Sequence, residues 1–336
     1  MNILVTGGAG YIGTHAVVEL LDSGHNVCVV DNFCNSSRIS LARVQDITGK
    51  SVRLYEGDIC EFDFMAEVFE KNDIDVVIHF AGLKAVGESV LKPLIYYKNN
   101  VEGTISLLRA MNSAGVKKII FSSSSTVYGE AVMPVSEKSP RGNPTNPYAS
   151  TKKIVEDILL QISQTDPAWS VGILRYFNPI GAHKSGLIGE SPQGIPNNLL
   201  PYLCKVQLGQ LPFLTVFGND YPTKDGTGVR DYIHVLDLAK GHTASLDFIS
   251  KTTGYYVWNL GTGVGYSVLD IIKSFEKISA VHIPFRFSAR RPGDIASCWS
   301  TTEKAEIELN WKAINTLDDM ISDTLNWLRL NPVGYN

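Results

Sequence analysis

Tyr148 and Lys152 stand four residues apart in the run Y-A-S-T-K. On an α-helix that spacing puts both side chains on one face, roughly 6 Å apart along the axis. A free phenol titrates near ~10 and is a poor base at neutral pH. An ammonium beside it favours the phenolate and draws the group towards the range useful for general acid–base catalysis. Upstream, FSSSSTVYG (121–129) supplies hydroxyls. Ser124 can hydrogen-bond a reacting hydroxyl and share its proton with Tyr148, while Ser122 and Ser123 suit a cofactor or a strand end. Y-x-x-x-K by itself is a common accident of helix faces. Its weight comes from what precedes it.

What precedes it is a glycine loop. NILVTG (2–7) runs into TGGAGYIG, with Gly7, Gly10 and Gly13 at three-residue spacing. Glycines there let the backbone turn tightly against a pyrophosphate, whose charge sits on a helix N-terminus. The G-x-x-G-x-x-G spacing is one residue longer than the usual dinucleotide fingerprint. Asp31 follows 18 residues after Gly13, at the end of the second apolar run. An acid there accepts from the adenosine ribose hydroxyls and repels a 2′-phosphate, which favours NAD over NADP. Asp58 in EGDI ends another run, near the expected adenine. HFAGLKAVGES (79–89) places Phe80, Ala81, Gly82 and Lys84 along the cofactor's far half. His79 reads as a packed polar residue, since no second histidine lies at metal spacing, and no metal site is expected.

The elements that must position these groups alternate. NVCVVD (26–31), VRLYEGD (52–58), VVIHFAG (76–82) and KKIIFSSS (117–124) read as buried parallel strands after the first, and SVGILRYFN (170–178) follows them. Helical patterns over 14–24, 65–72, 101–115 and 148–163 separate them. This alternation predicts an α/β fold: a Rossmann-type doubly wound parallel sheet covered on both faces. After residue 178 the loops lengthen, as in SPQGIPNNLLP (191–201) and FGNDYPTKDGTGVRD (217–231), and long loops in a compact chain are often functional. The expected division is an NAD-binding domain over 1–178 and a smaller mixed α/β substrate-binding domain over 179–336. Segments around 230–275 are expected to return to the first domain.

Composition narrows the partners. With 336 residues, 44% hydrophobic, 19% charged and a net charge of −4, the chain gives no reason to expect nucleic acid or an anionic membrane. Five cysteines (28, 34, 60, 204 and 298) are odd in number and lack C-x-x-C spacing. That suits reduced thiols and argues against a disulfide framework or structural zinc. MNILVTGG has no leader character and no apolar run reaches the ~18 residues of a membrane span. The expectation is a cytoplasmic protein.

These motifs, with DN at 31–32, LRYFNPIGAH, PQGIPNNLLPY, VFGNDYPTKDGTGVRDYIHVLDLA, NLGTGVGYSVLD and RRPGD, resemble the extended short-chain dehydrogenase/reductase family over essentially the whole chain. Within that family the resemblance is to the 4-epimerases of UDP-galactose. It implies tightly bound NAD, UDP-hexose substrates and a homodimer built through helices such as 101–115 and 148–163. It also implies a closed redox cycle: C4′ of the sugar is oxidised to a ketone, the ketone turns, and it is reduced on its other face. By the same resemblance Tyr148 is the base, Ser124 its hydrogen-bonding partner, and Lys152 the group that holds the ribose and tunes the tyrosine. The implied cofactor contacts are Gly7, Gly10, Tyr11, Ile12, Gly13, Asp31, Asn32, Asn35, Asp58, Ile59, Phe80, Ala81, Gly82, Lys84, Asn99, Ser122, Tyr148, Lys152 and Tyr176. The implied substrate contacts are Ser124, Tyr148, Asn178, Asn198, Leu199, Phe217, Arg230, Arg291, Asp294 and Cys298. Arg230 and Arg291 would face the diphosphate and Asp294 the uridine ribose, with Tyr232, Ile233 and His234 packed beneath.

Three rival readings are weaker. A sugar-nucleotide 4,6-dehydratase would carry an acidic pair after the strand-end hydroxyl, where this chain has Ser125, Thr126 and Val127. A net dehydrogenase would need cofactor exchange. A non-catalytic NAD-binding protein would typically have lost the tyrosine or the lysine. Cys298 has no neighbouring His or Cys in sequence to activate it. The resemblance puts it on the wall beside the sugar's 2′ substituent, where some 4-epimerases carry tyrosine. A smaller wall excludes less, so UDP-GalNAc and UDP-GlcNAc are expected as further substrates.

Overall fold

The computed structural model describes residues 1–192, 198–291 and 293–335. PQGIPNNLLPY and RRPGD therefore lie partly outside the described residues. Six strands alternate with helices in the first half: β1 (Asn2–Thr6), β2 (Asn26–Asp31), β3 (Arg53–Glu56), β4 (Val76–His79), β5 (Lys118–Ser124) and β6 (Ser170–Tyr176). The second half adds β7 (Asn178–Ile180), β8 (Leu214–Phe217), β9 (Val229–His234), β10 (Gly254–Leu260), β11 (Gly265–Ser267), β12 (Phe285–Ser288) and β13 (Ser297–Cys298).

Seven of these form one sheet in the order β10-β6-β5-β4-β1-β2-β3. Every neighbouring pair in it is parallel. The central strands are continuous apolar runs because helices cover both faces. On one face, Val17 and Leu20 of helix Tyr11–Asp22 share a core with Leu238 and Leu246 of helix Val235–Ile249. On the other, helices Phe62–Glu70, Gly103–Ser113 and Pro147–Thr165 contribute Met65, Leu107, Met111, Val155 and Leu159. β10 and helix Val235–Ile249 come from the second half of the chain, and β10 pairs along β6 from Gly254 to Leu260. Trp258 on β10 is fully buried and donates its indole N–H to Glu308 Oε2 at 2.8 Å.

A separate core of Leu203, Val216, Ile271, Phe275 and Ile321 organises the rest. There β12 pairs with β8, and β9 pairs with β7, β11 and β13. Among the described residues, no helix is long and apolar enough to cross a membrane.

Three element boundaries differ from the sequence expectation for visible reasons. The first helix starts at Tyr11 rather than 14, because Gly10 is its N-cap and its carbonyl already accepts from Thr14 N at 2.9 Å. The strand expected over 76–82 stops at His79, because Phe80 N and Ala81 N both turn to Thr6 O, at 2.9 and 3.0 Å. The helix expected over 101–115 is a π-helical turn, Tyr97–Glu102, followed by an α-helix, Gly103–Ser113. At that turn Asn100 reaches out to Leu83 N, Leu83 O and Thr151 Oγ1, at 2.8, 3.0 and 3.0 Å. Such local widening often accompanies a functional contact.

Candidate active site

The winding reverses between β1 and β4, and the crevice of an open α/β sheet lies at that reversal. Gly7 has φ +70°, and a Cβ there would lie 2.7 Å from Ala81 N. The two strand ends flanking the crevice therefore approach closely only through glycine. At Gly13 a Cβ would collide with the Gly7 carbonyl and lie 2.8 Å from Gly8 Cα. Helix Tyr11–Asp22 begins at Gly10 with no side-chain cap, which leaves its first N–H groups pointing out of the loop.

Asp31 ends β2 and is nearly buried. Its Oδ2 accepts from Ala9 N at 2.9 Å, and its Oδ1 accepts from Phe33 N and Ser36 Oγ at 2.9 and 2.8 Å. It anchors the glycine loop, a role the sequence did not reveal. A carboxylate offers about four acceptor positions, so capacity for a ribose hydroxyl remains. Asn32 donates to Asp58 Oδ2 at 3.1 Å, and Asp58 Oδ1 accepts from Cys60 N at 2.9 Å. Ile59 is buried beside them, Ile12 packs against the sheet, and Asn35 lies exposed in the loop after β2. Tyr11 turns its hydroxyl to Gly181 O at 2.7 Å. Lys84 Nζ and Asn198 Nδ2 meet at Glu190 Oε1, at 3.4 and 2.5 Å. Asn99 Oδ1 accepts from Leu83 N at 3.2 Å.

Tyr148 and Lys152, the pair expected to react, sit on the far side of the crevice. Tyr148 lies in the first turn of helix Pro147–Thr165, which Asn146 caps by accepting from Ala149 N at 2.9 Å. One turn on, Lys152 Nζ donates to Ser122 O at 2.6 Å and lies 5.9 Å from the Tyr148 ring centroid. It is also near Gly82, where a Cβ would stand 3.8 Å away. Ser124 ends β5; its hydroxyl accepts from Thr126 Oγ1 at 2.9 Å and neighbours the Tyr148 phenol.

Burial raises the Tyr148 phenol above its ordinary value, and the Ser124 hydroxyl pulls it back. Lys152 is pushed down to about 8 by burial, against the opposing charge of Glu156. The sequence led us to expect the lysine to lower the tyrosine. Burial is the larger influence on the phenol, ahead of the Ser124 hydroxyl.

Tyr176 ends β6 with its hydroxyl on His242 Nε2, and Phe80 packs on the same imidazole at 4.7 Å between centroids. His79 bridges Thr6 and Thr104 at 2.7 and 2.9 Å, and burial lowers it to about 3. It is the packed neutral residue the sequence suggested.

The residues from the second half gather in two groups. Arg291 lies over the Phe217 ring at 5.2 Å and donates to Asp294 Oδ2 at 2.8 Å, while Arg230 Nη2 stands 3.8 Å from Asp294 Oδ1. One carboxylate thus accepts a hydrogen bond from one guanidinium and pairs loosely with a second. Cys298 on β13 lies opposite Arg230 in register and is 5% exposed, among Val127, Tyr128 and Phe177. Burial raises its thiol above its ordinary value, an environment that does not favour a reactive thiolate. Asn178 starts β7 opposite Tyr232, and Asn198 and Leu199 open helix Leu199–Gln207. Tyr232, Ile233 and His234 are buried below.

Sequence reasoning missed Glu156, Arg175, Asn100, Glu190 and His242. For Glu156 one signal existed: an acid four residues beyond Lys152 in an otherwise apolar stripe, K-I-V-E-D-I-L-L.

A family model described as GDP-mannose 4,6 dehydratase matches residues 4–324. A UDP-glucose 4-epimerase of Pasteurella multocida is 56% identical over 336 residues, covering 100% of this chain and 99% of that one. A UDP-glucose 4-epimerase of Bacillus subtilis is likewise 56% identical, with the same coverage. The crystal structure of UDP-glucose 4-epimerase from Bifidobacterium longum in complex with NAD⁺ and UDP aligns with TM-score 0.97 and 55% identity, over 99% of this chain and 100% of that one.

The glycine cradle makes its own prediction. Gly13→Ala must displace the Gly7 carbonyl, so the purified variant should lose bound dinucleotide and about 1–3 kcal/mol of stability. Cofactor released on denaturation and a urea titration measure the two effects.

Proposed function

The chain belongs to the UDP-glucose 4-epimerase family, and from that premise we propose how its residues carry the reaction. The protein is an NAD-dependent epimerase that interconverts UDP-galactose and UDP-glucose through a transient 4-keto sugar. The observation that carries the assignment of the site is the Tyr148, Ser124 and Lys152 constellation facing the glycine cradle across one crevice.

The residues present fit NAD. A Cβ would fill the cradle at Gly7 and Gly13, and Asp31 keeps acceptor capacity for a ribose hydroxyl. Gly7, Gly10 and Gly13 would hold the pyrophosphate, with Asp31, Asn32 and Asp58 at the adenosine end and Lys152 at the nicotinamide ribose. When bound, NAD supplies the reversible two-electron acceptor that makes C4′ planar and lets it be re-formed with either configuration.

The side chains manage protons and orientation. Tyr148 takes the proton of the sugar 4′-hydroxyl as the ketone forms and returns it as the alcohol is re-formed. No net proton is consumed. Ser124 holds that oxygen in line with the phenol, and the Lys152 ammonium favours the phenolate. Arg230 and Arg291 grip the diphosphate with planar forks pre-aligned by Asp294. Phe217, Asn198, Leu199 and Asn178 hold the rest of the nucleotide. A firm hold on the nucleotide with few contacts to the hexose leaves the ketone free to turn.

Cys298 sets the space beside the sugar's 2′ position, and its small side chain supports use of UDP-GalNAc and UDP-GlcNAc as well. The protein works as a homodimer in the cytoplasm. Supporting the dimer, Val90, Leu91, Leu94 and Ile95 are 54%, 81%, 81% and 53% exposed on helices Val86–Leu91 and Pro93–Tyr96. These pack against helix Pro147–Thr165. A contiguous apolar patch of this kind suits a two-fold interface with a second copy.

Three outcomes are expected. Tyr148→Phe should lower kcat by roughly 10²–10⁴-fold while NAD stays bound; undiminished turnover would overturn the assignment of the base. Cys298→Tyr should lose the acetylated pair of substrates and keep the plain pair, in parallel assays of both; equal use of both pairs by the variant, or none of the acetylated pair by the wild type, would refute the wall. Leu94→Glu should convert a dimer to a monomer in sedimentation equilibrium, and an unchanged mass would move the interface elsewhere.

A further inference from the structure

The helix that carries the reacting pair has a third polar group in the same stripe. Tyr148, Lys152 and Glu156 recur every four residues on helix Pro147–Thr165, each step roughly 6 Å along the axis. Glu156 is fully buried. Its Oε1 accepts from Ser123 Oγ at 2.5 Å and from Arg175 Nε at 3.0 Å. Its Oε2 accepts from Arg175 Nη2 at 2.7 Å and from Arg141 Nη1 at 3.4 Å. Ser123 and Arg175 lie directly opposite each other in the β5–β6 register. One carboxylate of the helix therefore holds both strands beneath it.

The position of Ser123 matters. It sits between Ser122, whose carbonyl accepts from Lys152, and Ser124, whose hydroxyl meets Tyr148. The remaining arm of Arg175 donates from Nη1 to Tyr128 OH at 3.0 Å, and Tyr128 in turn donates to Asn259 Oδ1 at 2.6 Å. Val155 and Leu159, the buried neighbours of Glu156 on this helix, are apolar. An apolar residue would fill the place of Glu156 without the desolvation cost of a buried ion pair. What it could not supply is a directed grip on two strands and a negative charge one turn from Lys152.

We propose that Glu156 is a positioning residue for the epimerisation. It locks the helix bearing Tyr148 and Lys152 onto the strand bearing Ser122 and Ser124, with its carboxylate one helical turn from Lys152. The inference rests on the assignment of Tyr148 and Lys152 made above. Lys152 faces Tyr148 and Glu156 from its own helix and His79 from β4. Glu156 faces Arg175 from β6, Arg141 from the loop before the helix, and Tyr255 from β10.

The test uses the NAD-loaded enzyme and the Glu156→Gln variant, which keeps the size and removes the charge. Without that charge Lys152 gives up its proton at lower pH, and Tyr148, losing its cation, gives up its own at higher pH. With Lys152 near 8 and Tyr148 above its ordinary value, the reactive phenolate–ammonium pair becomes rarer, so the profile of kcat against pH should lose height while its two limbs move apart. At neutral pH kcat should fall roughly ten-fold, with KM for UDP-galactose within about two-fold of wild type. Independently of turnover, the phenolate absorbance that Tyr148→Phe removes should appear at higher pH in Glu156→Gln.

A folded Glu156→Gln protein with both limbs and the phenolate titration unmoved would overturn the proposal. Where that variant does not fold, Ser123→Ala decides: a several-fold loss of kcat at unchanged KM supports the grip, and wild-type kcat overturns it. Active Tyr148→Phe would instead indict the assignment of the base. Inactive Tyr148→Phe beside an unaltered Glu156→Gln would sink this inference alone.

Discussion

A parallel sheet buried on both faces must send every carboxyl-terminal strand end to one edge, and the site is built on that edge. β1 delivers Gly7, β4 delivers Phe80, β5 delivers Ser124 and β6 delivers Tyr176. The glycine loop and the segment after β4 are tied together, since Thr6 O accepts from both Phe80 N and Ala81 N. β10 extends the sheet beyond β6 and closes its far side with Trp258. The residues proposed to grip a dinucleotide and a reacting hydroxyl thus come to one edge through strand order. Sub-ångström placement then falls to the polar contacts at each strand end.

Burial works against the chemistry and the fixed polar groups work for it. Desolvation raises the Tyr148 phenol and lowers the Lys152 ammonium, so the neutral form of each is favoured. Ser124 on one side, and the Ser122 carbonyl with the Glu156 charge on the other, restore the balance towards phenolate and ammonium. A proton that must leave a sugar hydroxyl and return to it is best served by a base near balance. A similar pairing of charges gathers Arg230 and Arg291 about the Asp294 carboxylate.

The sequence made visible what is local. Apolar runs bounded by glycine and acid named the strands of the large sheet, and Y-x-x-x-K after a serine-rich strand end singled out two side chains that the fold places one turn apart on helix Pro147–Thr165. Features made by distant contacts were hidden. Arg175 and Glu156 are 19 residues apart with no motif between them, and their pairing depends on helix Pro147–Thr165 lying over the β5–β6 register. The pairing of β12 with β8 joins segments some 70 residues apart. Asp31 was legible as an acceptor for ribose but not as the anchor of Ala9. Residue types reveal a neighbouring charge such as Lys152 but not the depth at which Tyr148 is buried. Cys298 was noticed as a thiol and a size. Its burial among Tyr128, Val127 and Phe177 could not be read from the sequence.

The central claim is that the site removes one hydrogen from C4′ and returns that same hydrogen, with Tyr148 exchanging only the proton on oxygen. The direct test is to convert UDP-galactose carrying deuterium at C4′ in ordinary water and to analyse the UDP-glucose by mass spectrometry. The account predicts that the deuterium stays at C4′ through complete turnover while no reduced cofactor accumulates in solution. Loss of the label to solvent would contradict it, because a side chain would then be taking a proton from carbon.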